Sequence, residues 1–251
     1  MNLPEKFIIP EDRIPKPWSQ GPYGCCVAAS ITKVLEVINY LKTGKYTMFS
    51  KGYTYGKHNR PDKKQGGMDY TYVMESLTRY GTVPEEMFPL MNEMPDVMSD
   101  VSNHPNIKEL DKEAEKTKIK SFTKIKGDIH FRENVKKCLY EYQMPLVGNM
   151  VGKRHCTVII GWDGDKFLYH EHRGKNDIFK GKFNEAYYLE GDVQMKSFKD
   201  VSNDRWSKKY IDKIVEEKIM NGISKDEFNP EGNVTREQLA AVLCRALYNM
   251  E

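Results

Sequence analysis

Apolar side chains at Val27, Ala28, Ile31, Val34, Leu35, Ile38 and Leu41 fall at three- and four-residue intervals. This spacing lays one apolar stripe along a helix of about four turns. Tyr72, Val73, Ser76 and Leu77 repeat the spacing, and Val135, Cys138, Leu139 and Tyr142 predict a short amphipathic helix over 133–142. The charged run from Lys108 to Lys118 predicts an exposed helix. From Phe122 the pattern turns toward strands, with Phe122, Ile125 and Ile129 flanking a turn at Gly127-Asp128. Residues 144–151 read as a strand with Pro145 near its start, where no ladder donor is needed. Val158-Ile159-Ile160 and Lys166–Glu171 read as a hairpin around Asp163-Gly164-Asp165. Phe179, Phe183 and Tyr187-Tyr188-Leu189 read as later strands. Residues 1–19 carry Pro4, Pro10, Pro15 and Pro17 and predict an extended arm.

The chain has 251 residues, enough for one large domain or two small ones. It is 39% hydrophobic and 30% charged, which describes a soluble, somewhat polar protein. No apolar run approaches the about 18 residues of a membrane span, and the N-terminus lacks the cationic and apolar regions of a secretory signal. A scattered net charge of +3 does not argue for nucleic acid. Five cysteines, two of them adjacent, do not form a disulfide framework. Reduced thiols and intracellular synthesis are the simpler reading.

Candidate chemistry gathers at the start of the first helix. Gln20-Gly21-Pro22 is a loop, Gly24 allows a tight turn, and Cys26 stands at the helix N-terminus. There the dipole and free backbone N–H groups favour a thiolate, the form that attacks carbonyls. Gln20 can aim an amide N–H at an oxyanion. The segment Gln20–Ala29 resembles the active-site segment of the papain family of cysteine peptidases, Gln-Gly-x-Cys-Gly-Ser-Cys-Trp-Ala. The resemblance implies Cys26 as nucleophile, Gln20 at the oxyanion and Cys25 as the small residue before the nucleophile. Val27 replaces the family's Trp. Tyr23 stands where the family has a disulfide-forming Cys, so that bridge is absent. Gly66-Gly67, a helix, Tyr80-Gly81 and Phe88-Pro89 follow the family's order, implying that the two glycines bind substrate backbone. Arg154–Asp163 matches the segment that carries the catalytic imidazole, which falls on His155. The implied fold is α+β with two lobes, one helical and one β-barrel-like. The chain begins where the mature family enzyme would begin, so the expectation is either that no proenzyme is needed or that the sequence is a processed or trimmed form.

Carried without a gap, the family's imidazole-orienting Asn falls on Glu171, and its Ser-Trp-Gly becomes His172-Arg173-Gly174. A carboxylate can accept from the imidazole and stabilise imidazolium, so activity should survive the change. The missing Trp leaves Glu171 less shielded from water. The bland readings are a buried helix-start cysteine pair, a Gly-Gly turn and a structural histidine. A zinc site on His155, His170, Glu171 and His172 fails because His170 and His172 share one strand face, Glu171 takes the other, and no third ligand joins them. No metal or cofactor is expected. His58 reads as a solvated loop residue, His104 and His130 as surface residues, and Glu85-Glu86 as a solvated face.

The tail, 198–251, follows a linker at 193–197 and reads as a small all-α unit separate from residues 1–192. Ile211, Ile214 and Val215 mark one helix; Leu239, Val242, Leu243, Ala246 and Leu247 mark another. Thr235 with Gln238 forms a capping box. Phe198-Lys199-Asp200-Val201, Trp206, Gly222-Ile223, Phe228-Asn229-Pro230 and Thr235-Arg236-Glu237 resemble one S-layer homology repeat. Such repeats bind anionic secondary polymers of Gram-positive walls. The resemblance implies polymer contacts at Arg236, Trp206 and Gly222, since a fixed guanidinium can pair with a carboxylate in two places. Family members usually carry three repeats, so a homotrimer would supply the other two. The bland reading is a helical hairpin for oligomerisation only. Together these expectations describe a cysteine endopeptidase acting on protein or peptide at a cell wall. The alternatives are an inactive papain-like wall-binding protein and a cysteine amidase that cuts wall peptides. A phage-encoded origin would reconcile wall binding with the missing leader, as would a sequence truncated at its start.

Overall fold

The computed structural model describes residues 3–16, 19–20, 24–58, 67–89, 101–171, 177–191, 198–202, 205–216, 219–224 and 227–248. The chain divides into two compact units, Met1–Val193 and Gln194–Glu251. The expected linker 193–197, Gly66 and His172-Arg173-Gly174 lie outside the described residues. Among those described, no helix is long and apolar enough to cross a membrane.

The first unit is built on helix α1 (Cys26–Thr43). Gly44, with φ of 69°, ends it in the left-handed conformation that glycine tolerates best. The helix is buried over far more than one stripe: Ser30, Thr32, Lys33 and Glu36 are as deeply enclosed as Ile31 and Val34. Polar residues can sit there because they are bonded. Ser30 and Thr32 return hydrogen bonds to the carbonyls of Cys26 and Ala29. Glu36 accepts from the Tyr46 hydroxyl and the Phe49 N–H. Helices α2 (Lys51–His58) and α3 (Tyr70–Arg79) follow, α2 packing on α1. The Asp69 side chain caps α3 by accepting from the Tyr72 N–H at 2.9 Å. The charged run forms α4 (Ile107–Ala114), extended by a 3₁₀ turn at Glu115–Thr117.

Among the described residues, seven antiparallel strands make one sheet: β1 (Lys6–Ile8), β2 (Ser121–Ile125), β3 (Leu146–Met150), β4 (Cys156–Asp163), β5 (Lys166–His170), β6 (Ile178–Gly181) and β7 (Phe183–Glu190). The order is β2-β7-β3-β4-β5-β6. β3 pairs with the first half of β4 and β1 with the second half. Helix α5 (Phe131–Tyr142) covers β2, β4 and β7, and α1 packs on β3 and β4. The expected extended arm is therefore partly strand. The Trp162 indole N–H donates to the Pro4 carbonyl at 2.9 Å, securing the arm.

Two expectations are overturned. His58 is fully buried at the end of α2, its ring bonded to Ser76 Oγ and to the Gly81 carbonyl, both at 2.8 Å. Burial pushes its imidazole down to about 4, so it is a neutral core residue rather than a solvated one. Glu85 is half-buried and attracts the Lys51 ammonium, so it is not a solvated face.

In the second unit, α6 (Lys208–Glu216) and α7 (Arg236–Tyr248) are the helices among the described residues. Phe198, Val201, Ile211 and Val215 form its core, with Ile214 and Phe228 against them. The Asp200 carboxylate accepts from the N–H groups of Phe228 (2.9 Å) and Asn229 (2.6 Å), pinning the loop before α7. The Thr235–Gln238 capping box is present in both directions, at 3.1 and 2.9 Å.

Candidate active site

Cys26 is the first residue of α1 and is half-buried. Backbone N–H groups of Cys156, Val27 and Cys26 itself favour its thiolate, but desolvation is the larger effect and raises its pKa. The helix-terminus argument alone therefore predicts the wrong direction for the resting thiol. Ionisation at neutral pH calls for a proton acceptor beside it. The Cys156 backbone N–H, one residue past His155, brings the start of β4 to the sulfur. Cys25 is fully enclosed; burial pushes its thiol up to about 11, which makes it the poorer nucleophile.

His155 precedes β4, and its carbonyl accepts from the Met150 N–H at 3.0 Å, closing the β3–β4 connection. The β4–β5 register sets Val158 opposite His170. Carried one step further, it puts Glu171 opposite Thr157, on the strand face that His155 shares and diagonal to it. Long side chains can meet there: His155 Nε2 lies 3.2 Å from Glu171 Oε2. Gln20 is held next to Cys25, whose thiol donates to the Gln20 carbonyl at 3.8 Å. Gly67 also approaches this segment, its N–H donating to the Gly24 carbonyl at 3.0 Å with φ of 74°. Cys26, His155, Glu171, Gln20 and Gly67 thus gather within the first unit. Among the described residues, no group of His, Cys, Asp or Glu is arranged to hold a metal ion.

Three neighbours escaped the sequence reading. Tyr70 opens α3, stacks on Tyr187 with centroids 5.4 Å apart, and hydrogen-bonds the buried Cys156 thiol. Burial pushes that thiol up to about 12. Lys33 is fully buried in α1 and donates to the Glu171 carbonyl at 3.3 Å. The sequence signal for it is slight, since Lys33 and Glu36 fall off the apolar stripe and read as an ordinary polar face.

In the second unit Arg236 and Trp206 are exposed, Trp206 at 78% with the Tyr210 ring at 6.2 Å. Gly222 has a packing reason for its identity. A Cβ there would lie 2.3 Å from the Phe198 ring and 2.5 Å from the Glu227 carbonyl oxygen.

A family model described as the S-layer homology domain matches residues 197–240. No curated protein matches the chain. Among solved structures, the fold is similar to xylellain, a cysteine protease from Xylella fastidiosa (TM-score 0.58, 15% identity, 76% of this chain and 87% of that one). It is also similar to digestive procathepsin L 3 from Tenebrio molitor larval midgut (0.56, 13%, 76% and 71%). A third is the proform of the ragweed pollen cysteine protease Amb a 11 (0.56, 15%, 76% and 66%), of whose length this chain spans just under two thirds. The chain thus combines a fold similar to papain-like cysteine proteases with a C-terminal segment that matches the S-layer homology domain.

Proposed function

We propose that the first unit is a cysteine peptidase and that the second directs it to an anionic polymer of a Gram-positive wall. The reading rests on one observation: the His155–Glu171 pair stands where the start of β4 meets the end of β5, and the Cys156 backbone N–H of β4 reaches the half-buried Cys26 thiol. Cys26 passes its proton to His155, and its sulfur attacks the peptide carbonyl. The Gln20 amide and the Cys26 backbone N–H hold the oxyanion. His155 returns the proton to the leaving amine, then takes one from the water that hydrolyses the thioester. Glu171 stabilises the imidazolium, and Gly66-Gly67 border the bound peptide.

On the second unit, Arg236 offers its guanidinium to a carboxylate of the polymer and Trp206 offers an exposed ring, while Gly222 keeps the loop close to Phe198. Leu239, Leu243 and Leu247 of α7 are exposed, as a helix that waits for other copies would be. A homotrimer would cover them, and a monomer by light scattering counts against that assembly. The S-layer homology match favours wall peptides as a substrate class, hence an amidase reading alongside the endopeptidase one.

A fluorogenic peptide panel with Cys26→Ala as control tests the peptidase. Turnover lost in Cys26→Ala supports it; no turnover in the wild type favours an inactive scaffold. Amine release from purified wall identifies the amidase. Co-sedimentation with wall, weakened by Arg236→Ala, tests the targeting unit.

A further inference from the structure

Lys33 stands about two helical turns beyond Cys26 on α1 and has no exposed surface. An ammonium there loses its hydration and persists only against matching charge. The charges that face it are Glu36 on its own helix, Glu171 just beyond β5 and Lys51 on α2; the His170 ring of β5 faces it as well. Glu36 is already engaged by Tyr46 (2.5 Å) and by the Phe49 N–H (3.1 Å). The other carboxylate, Glu171, is the one that meets His155, and its own carbonyl accepts from Lys33 Nζ at 3.3 Å.

We propose that Lys33 is a positioning residue of the site: its ammonium fixes the Glu171 main chain and balances the Glu171 carboxylate, so that the two act on His155 as one charge-matched unit. This rests on Cys26 and His155 being the reacting pair. Burial pushes Lys33 down to about 8, with Glu36 and Glu171 opposing the fall. The cation is therefore present at neutral pH and lost as the solution becomes alkaline. Burial and Lys33 together hold His170 down to about 4, so at neutral pH it adds no second cation.

Lysine side-chain ¹⁵N NMR on the full chain follows the Lys33 ammonium directly, its signal assigned from Lys33→Arg. In Glu171→Gln the ammonium should deprotonate at lower pH than in wild type; identical titrations overturn the proposal. Kinetics give a second readout, as kcat and KM against pH for wild type, Lys33→Met, Glu171→Gln and the double variant. Each single change should lower kcat about tenfold with KM little altered, and the double should lose no more than the worse single. Losses that multiply in the double overturn the proposal. If Lys33→Met does not fold, the titration of Glu171→Gln decides. A wild type without peptidase activity defeats the reading of Cys26 and His155, while the titration still judges the Lys33–Glu171 pair.

Discussion

His155 Nε2 and Glu171 Oε2 stand 3.2 Å apart, joined by a hairpin that separates them by 16 residues in sequence. Their side chains are only 25% and 13% exposed, so solvent weakens the contact far less than it would on an open surface. In the proposed mechanism this carboxylate would steady the imidazolium that forms as His155 takes the Cys26 proton.

Removing that carboxylate should slow chemistry without blocking binding. Glu171→Ala is expected to lower kcat by about 100-fold with KM nearly unchanged. Glu171→Asn retains an acceptor and should lose less. Steady-state kinetics on the best peptide substrate decides; equal rates in Glu171→Ala and wild type contradict the role.

His58 makes stability depend on pH. Its imidazole titrates near 6.5 in the unfolded chain and near 4 in the fold. Between those values the unfolded chain binds more protons, so stability rises with pH across the window and is lost as pH falls through it. Buried His170 acts in the same direction. The urea midpoint should be lower at pH 4 than at 6.5, and His58→Gln should narrow that gap.

The N-terminal arm depends on Gly161. A Cβ at this position of β4 would lie 2.2 Å from the Phe7 carbonyl oxygen and 2.8 Å from Ile8 Cα. Both are backbone atoms, which cannot swing aside. Gly161→Ala should destabilise the first unit by about 2–4 kcal/mol, read as a lower urea midpoint and faster exchange of the Ile9 amide.

In the second unit, Thr235→Ala removes the acceptor for the Gln238 N–H. It should cost about 1 kcal/mol, measured as a loss of α7 helicity on mild heating. An unchanged melting profile would show that the cap adds nothing.

Where local periodicity or chemistry decides structure, the sequence was readable. The apolar spacing in α1 and α5, the turn between β4 and β5, and the Thr235–Gln238 box each depend on residues close together in the chain. What was hidden depends on distant partners. Lys6–Ile8 is too short to announce a strand, and it becomes one only by lying along β4. His58 sits in a polar run, and its burial follows from Ser76 and Gly81. Lys33 lies off the apolar stripe of α1, and its place follows from the segment after β5, which brings the Glu171 carbonyl to it. Cys26 was readable as to place but not as to resting charge. The helix terminus is a local feature, whereas the burial that outweighs it comes from the whole unit.

Treating the full chain with an epoxide thiol inhibitor and mapping the adduct by mass spectrometry tests the account most directly. One equivalent on Cys26, absent from Cys26→Ala and slowed in His155→Ala, is the predicted result. Modification of Cys25 with Cys26 untouched, or no stoichiometric adduct, would contradict it.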